Sequence, residues 1–217
     1  MSKKKIEIMD TTLRDGEQTS GMSFSEYEKL TISKLLLKDL KVDRIEVASA
    51  RVSSGEFNAV KKIIDWAKSE NFERKVEILT FIDSGISIDW MIKSGAKIQN
   101  LLSKGSINHL KNQLKKTPIE HFNDVEQIIE IAIKNKIETN IYLEDWSNGM
   151  KSSKDYVFSF LDFLKKMPIK RVLLPDTLGI LNPGETFNFL NEIIKEYPNI
   201  HFDFHAHNDY DLSLIHI

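Results

Sequence analysis

Seven short apolar runs, each followed or preceded by a longer segment of helical period, constrain this chain more than any other feature. The runs are Ile6–Met9, Arg44–Ala48, Val76–Ile82, Lys97–Ser103, Thr139–Glu144, Arg171–Pro175 and His201–His205. They are too short for helices and rich in Val, Ile and Leu, the signature of strands buried on both faces. Between them the apolar residues recur every three or four positions. This periodicity predicts helices at about Ser25–Leu40, Gly55–Glu70, Ile88–Ser94, Asn123–Lys136, Ser153–Lys166 and Pro183–Glu196. Ser, Asp or Asn stands at several helix starts, and Pro183 suits a first helical turn. Ser106–Phe122 is amphipathic and is expected to hold an extra helix interrupted near Pro118. Strand and helix in regular alternation require parallel strands joined by crossover helices, because parallel neighbours cannot be joined by a tight turn.

Two architectures produce that alternation: a doubly wound sheet and a (β/α)8 barrel. The glycine fingerprint of dinucleotide-binding sheets is absent after the first strand. Polar functional groups instead recur at the ends of many strands: Arg14-Asp15, Glu46, Glu144-Asp145, Asp176-Thr177 and His205/His207. An open sheet gathers its site at one switch point, whereas a barrel draws on most of its strand ends. The chain therefore reads as α/β, a TIM (β/α)8 barrel with about seven strands, incomplete at its C-terminus.

The 217 residues suffice for one domain with a sizeable core. A formal charge of −2 offers no long-range pull on nucleic acid or an anionic membrane. Trp66, Trp90 and Trp146 are expected to pack rather than stack on bases, since no basic patch accompanies them. No apolar run approaches the roughly 18–20 residues that span a bilayer. Ser2-Lys3-Lys4-Lys5 leads into Glu7 and Asp10 rather than an apolar signal core, so a cytoplasmic protein is expected. With no cysteine, any metal must rest on nitrogen and oxygen donors.

Asp10-Thr-Thr-Leu-Arg-Asp-Gly-Glu-Gln18 follows the first strand, and His205-Ala-His-Asn-Asp209 closes the last. Alternation along a strand puts His201, Asp203, His205 and His207 on one face and Phe202, Phe204 and Ala206 on the other. The phenylalanine face should meet the helix layer. Asp15, His205 and His207 are suitable ligands for one divalent ion. Taken alone, H-x-H is equally a pair of hydrogen-bonded histidines, and Arg14-Asp15 a surface turn. Glu144 or Asp145 alone reads as a salt-bridge partner, and Leu79 and Leu102 as core leucines.

In order along the chain, D-T-T-L-R-D-G-E-Q, Y-L-E-D, L-P-D-T-L-G and H-A-H-N-D resemble the landmarks of the 2-isopropylmalate synthase and (R)-citramalate synthase family. Homocitrate synthases and aldol-cleaving lyases belong to the same superfamily of metal-dependent barrels. The resemblance runs from about Ile6 to Leu212. It implies an acyltransferase that condenses acetyl-CoA with a 2-oxo acid, 3-methyl-2-oxobutanoate or pyruvate, in leucine or isoleucine biosynthesis. Asp15, His205 and His207 would hold one divalent ion (Mg, Mn, Co or Zn). Arg14 would stabilise charge on the keto oxygen, and Glu144 would act at the acetyl methyl as base or positioner. Thr177 would bind the oxo-acid carboxylate, Gln18 would complete the pocket, and Leu79 and Leu102 would line its alkyl end. Asp176 would support Thr177 or its loop. The other readings are a homocitrate synthase, an HMG-CoA-lyase-like aldol lyase, or an inactive barrel fragment that binds metal or partner chains.

The family pattern usually has glycine between the two histidines, where this chain has Ala206. Relatives also continue into an eighth strand and a C-terminal region that joins two subunits. The resemblance thus implies a homodimer when full length, and a chain 1–217 that lacks the last βα unit and that region. The terminal hexapeptide Leu212-Ser-Leu-Ile-His-Ile217 matches an in-frame translation of a sequencing adapter and is expected to be non-native. His109 and His121 are expected to be solvated, and Lys104-Gly105 has no assigned role.

Overall fold

The structure, a computed structural model, describes residues 6–209. The terminal hexapeptide 212–217 lies outside the described residues. The chain packs into two compact units, Met1–Asn100 with Lys134–Ile137, and Leu101–Ile133 with Glu138–Ile217.

In the first unit, β1 (Met9–Asp10), β2 (Arg44–Ser49) and β3 (Val76–Thr80) pair in parallel, with Met9 opposite Arg44 and Ile45 opposite Val76. α1 (Glu26–Lys34, prolonged by a π turn over Leu35–Asp39), α2 (Ser54–Ser69) and α3 (Ile86–Ser94) connect them in sequence. β4 (Ile98–Lys104) follows. The second unit continues with α4 (Ile107–His109), α5 (Pro118–Lys134), β5 (Glu138–Glu144), α6 (Trp146–Ser152) and α7 (Lys154–Leu164). It closes with β6 (Arg171–Asp176), α8 (Pro183–Glu196) and β7 (Phe202–Ala206). β5, β6 and β7 are parallel neighbours, with Asn140 opposite Arg171 and Val172 opposite Phe202. The strand order is β1 to β7 without a reversal. A doubly wound sheet must reverse at its switch point, so this order is that of a (β/α) barrel.

Local chemistry explains the helices. Ser25 accepts from the Glu28 N–H while Glu28 accepts from the Ser25 N–H, a reciprocal cap repeated by Asn182 and Glu185 ahead of α8. α2 buries Ala59, Val60, Ile63, Ile64 and Ala67 along one stripe, and α7 does so with Tyr156, Val157, Phe160, Leu161 and Leu164.

Two expectations are revised, and one helix had none. β1 is shorter than the apolar run: Ile6 and Ile8 are exposed, and the Ile8 N–H donates to the Asp43 carboxylate at 3.0 Å while its carbonyl accepts from the Asp43 and Arg44 N–H groups. Pro118 does not interrupt a helix but starts one. It stands in the first turn of α5, where its missing N–H has no intrahelical partner to lose. Thr117 and Glu120 cap that turn reciprocally. Finally, α6 had no periodic signal, because seven residues make barely two turns.

Candidate functional site

The first motif folds into a tight turn at the end of β1. Asp10 accepts from the Thr12 N–H at 2.9 Å, and the Thr11 carbonyl accepts from the N–H groups of Arg14, Asp15 and Gly16. Leu13 is buried in the core at 1% exposure. Arg14 is then fixed at two points. Its Nε donates to Glu46 Oε2, and its Nη1 donates to Asp15 Oδ1 at 2.6 Å. Glu46, expected at a strand end, instead lies fully buried in the middle of β2 and also accepts from Asn100 Nδ2 at 2.6 Å. Below it, Arg44 pairs with Glu77 at 3.0 Å. Burial pushes the Glu77 carboxyl above its ordinary value, against the pull of Arg44 and Asn100.

Arg14 and Gln18 line a cleft of about 350 Å³ with Leu13, Glu17, Ser49 and Glu56. Gln18 ends a short 3-10 turn whose N–H donates to the Asp15 carbonyl. Under this cleft lies Lys29, wholly buried. Its ammonium contacts Glu17 and Glu56, each at 2.6 Å, and the carbonyls of Leu13 at 3.1 Å and Val47 at 3.4 Å. Leu79, in β3, is also buried.

In the second unit, β7 separates its two faces as the alternation predicts. Phe204 packs against Trp146, which in turn meets Phe189 of α8. The rings of His205 and His207 stand nearly parallel with centroids 4.8 Å apart, and Tyr142 of β5 lies 6.3 Å from His205. His201 and Asp203, on the same face as these histidines, engage Arg171.

Glu144, at the end of β5, is paired with Lys104 from the end of β4. Its neighbour Asp145 is buried in a left-handed conformation, φ 64°. Asp145 accepts from Ser106 Oγ at 2.6 Å and Asn148 Nδ2 at 2.7 Å. Its N–H donates to Thr177 Oγ1 at 2.9 Å. A hydroxyl that accepts there keeps its single proton for another partner. Asp176 supports this loop, accepting from the N–H groups of Ile180 and Leu181. Gly105 and Gly149 let β4 and α6 touch: a Cβ on Gly149 would stand 2.0 Å from the Gly105 carbonyl oxygen. Leu102, in β4, is half-buried.

Two histidines expected in solvent are not there. His121 is fully buried against Phe160, and its Nε2 accepts from the Lys104 N–H. Desolvation drives its pKa down to about 4. His109 lies 3.5 Å from Asp145 with its side chain 17% exposed. Amphipathic periodicity placed both on a surface helix, but His121 falls on the buried stripe of α5, with Val125, Ile128, Ile129 and Ala132.

Sequence reasoning passed over Lys29 and Asn100 and left Lys104 without a role. A signal existed for the first two. Lys29 shares a helix face with Ser33, Leu36 and Leu37, and Asn100 interrupts a buried strand. The three tryptophans pack as expected, Trp90 edge-on to Phe57 and Trp66 to Phe72. Among the described residues, no helix is long and apolar enough to cross a membrane.

The HMGL-like family matches residues 5–214. The 2-isopropylmalate synthase of Saccharolobus solfataricus is 31% identical over 97% of this chain and 53% of its own length. A homocitrate synthase of Saccharolobus islandicus is 28% identical over 97% of this chain and 44% of its own. The chain thus spans about half the length of these curated relatives. Among solved structures, the HMG-CoA lyase of Bacillus subtilis superposes with a TM-score of 0.74 at 21% identity, over 98% of this chain and 74% of its own. That likeness shows the fold: an incomplete (β/α) barrel, with seven strands among the described residues.

Proposed function

The chain belongs to the HMGL-like family, and from that premise we propose that it is the catalytic domain of an acyltransferase condensing acetyl-CoA with a 2-oxo acid. The oxo acid is 3-methyl-2-oxobutanoate or pyruvate, and the product 2-isopropylmalate or (R)-citramalate, in branched-chain amino-acid biosynthesis. The observation that carries this reading is Arg14, a guanidinium immobilised between Glu46 and Asp15 at the end of a barrel strand. A cation whose orientation is set before substrate arrives can meet a developing alkoxide without reorganising.

Asp15, His205 and His207 are proposed to hold one divalent ion (Mg, Mn, Co or Zn). One carboxylate and two imidazoles, in a chain with no thiolate, suit a hard or borderline ion. Bound there, the ion supplies Lewis acidity to the keto group. The chain's own residues do the rest. Thr177 donates its remaining hydroxyl proton to the oxo-acid carboxylate. Glu144, held in place by Lys104, takes the proton from the acetyl methyl or positions that methyl. The resulting carbon nucleophile forms a bond to the keto carbon as the C=O π pair moves onto the oxygen, where Arg14 stabilises the alkoxide until it takes a proton from water to become the product hydroxyl. Hydrolysis of the thioester then releases CoA. Gln18 closes the pocket, and Leu79 and Leu102 line the alkyl end. The active protein is proposed to be a cytoplasmic homodimer.

The test is CoA thiol release by the full-length protein with acetyl-CoA and pyruvate, 3-methyl-2-oxobutanoate or 2-oxoglutarate. Release with one of the first two supports the proposal. Release with 2-oxoglutarate alone transfers it to homocitrate synthesis, and release with none overturns it.

A further inference from the structure

We propose that Lys29 is a positioning residue that sets the Arg14-Asp15 pair by clamping the chain on both sides of it. The proposal rests on the reading of Asp15 as a metal ligand. Lys29 is on α1, yet its ammonium is wholly buried and reaches four oxygens from three other segments. Two belong to the motif turn: the Leu13 carbonyl, immediately before Arg14, and the Glu17 carboxylate, two residues after Asp15. The other two belong to the scaffold: the Val47 carbonyl in β2 and the Glu56 carboxylate in α2.

A buried ammonium needs acceptors for all of its protons, so its position is dictated by these oxygens together. Leu13 and Glu17 cannot shift without stranding the charge. The turn between them is therefore tied to β2, the strand that supplies Glu46 to Arg14. Glu17 is held a second time, its other oxygen accepting from the Phe24 N–H at 2.8 Å. One cation thus braces the turn at both ends without touching the reacting groups. A lysine that only fills the core would have no reason to divide its bonds between this turn and the scaffold.

The experiment measures Mn²⁺ affinity and thermal unfolding of the full-length protein. Lys29→Met alone would strand two carboxylates, so the variant is the neutral triple Glu17→Gln, Lys29→Met, Glu56→Gln. It is expected to unfold near the wild-type temperature but to bind Mn²⁺ about tenfold more weakly, the size of effect seen when a ligand's supporting partner is lost. Glu17→Gln alone keeps Lys29 paired and removes one tie to the turn, and should weaken binding about threefold. Asp15→Asn separates the two layers of the argument. If the wild type binds Mn²⁺ and Asp15→Asn does not, while the folded triple variant binds as wild type, the role of Lys29 is refuted. Should the triple variant fail to fold, Glu17→Gln decides alone by the same criterion. If the wild type does not bind Mn²⁺, or Asp15→Asn binds it unchanged, the metal reading fails and the clamp proposal falls with it.

Discussion

Acidification should loosen this protein through His121 before most carboxylates titrate. Burial lowers the pKa of this imidazole from 6.5 to about 4, so the folded state refuses a proton that the unfolded state accepts. A depressed pKa in a base means stability that is complete above the unfolded value and lost as pH falls towards the folded one. The full shift of about 2.5 units corresponds to about 3.4 kcal/mol at the limit, and the part lost between pH 7 and pH 4.5 is about 2.4 kcal/mol. The perturbation that isolates this contribution is His121→Phe. Phenylalanine preserves the contact with Phe160 but removes the acceptor for the Lys104 N–H, which should cost about 1–2 kcal/mol at pH 7. Urea unfolding followed by circular dichroism at the two pH values measures both effects. The variant should be the less stable at pH 7 and should lose about 2.4 kcal/mol less than wild type on acidification. Equal acid losses in the two proteins would show that His121 is not the group that refuses the proton.

Glu46→Gln puts an amide between the donors of Arg14 and Asn100, so one donor must face another. With a charge-assisted bond gone, kcat for thiol release should fall about 10–100-fold and chemical denaturation should show a loss of about 1–3 kcal/mol; an unchanged kcat in the folded variant counts against the aiming role. Thr177→Val keeps the shape and removes the hydroxyl that Asp145 orients. It should raise KM for the oxo acid about tenfold, and an unaltered KM would remove Thr177 from the carboxylate site. Gly149→Ala drives a methyl into the Gly105 carbonyl, a backbone atom that cannot swing away. Chemical denaturation should show a loss of about 3 kcal/mol, and a loss below about 1 kcal/mol would show that α6 can retreat from β4.

Much of the fold was legible because its signals are local. Strand and helix periodicities are set by neighbours two to four residues away, and seven alternating runs leave few architectures open. The edges were less legible. Ile6 and Ile8 have the composition of a strand, yet at Ile8 the N–H donates to the Asp43 carboxylate while only its carbonyl accepts from the backbone, at Asp43 and Arg44. Pro118 carries the mark of a helix breaker and acts as a helix start, because Thr117 and Glu120 are placed to cap it.

The site divides along the same line. Asp15, Arg14, Glu144, Thr177 and the H-x-H pair stand out in the sequence because their chemistry is written in contiguous motifs at strand ends. Their supporting partners do not. Glu46 and Asn100 are 54 residues apart, Lys104 and Glu144 are 40 apart, and Lys29 draws acceptors from three other segments. Nor does a helical stripe say whether a histidine faces water or Phe160. By itself, then, the sequence determined most of the elements, the groups that are candidates for the chemistry and the family the chain resembles. Only the tertiary structure decided which carboxylate aims Arg14, which lysine braces its turn and which histidine stays neutral. The physical reason is that burial and charge pairing are properties of residues far apart in the chain, and exist only once the chain has folded around them.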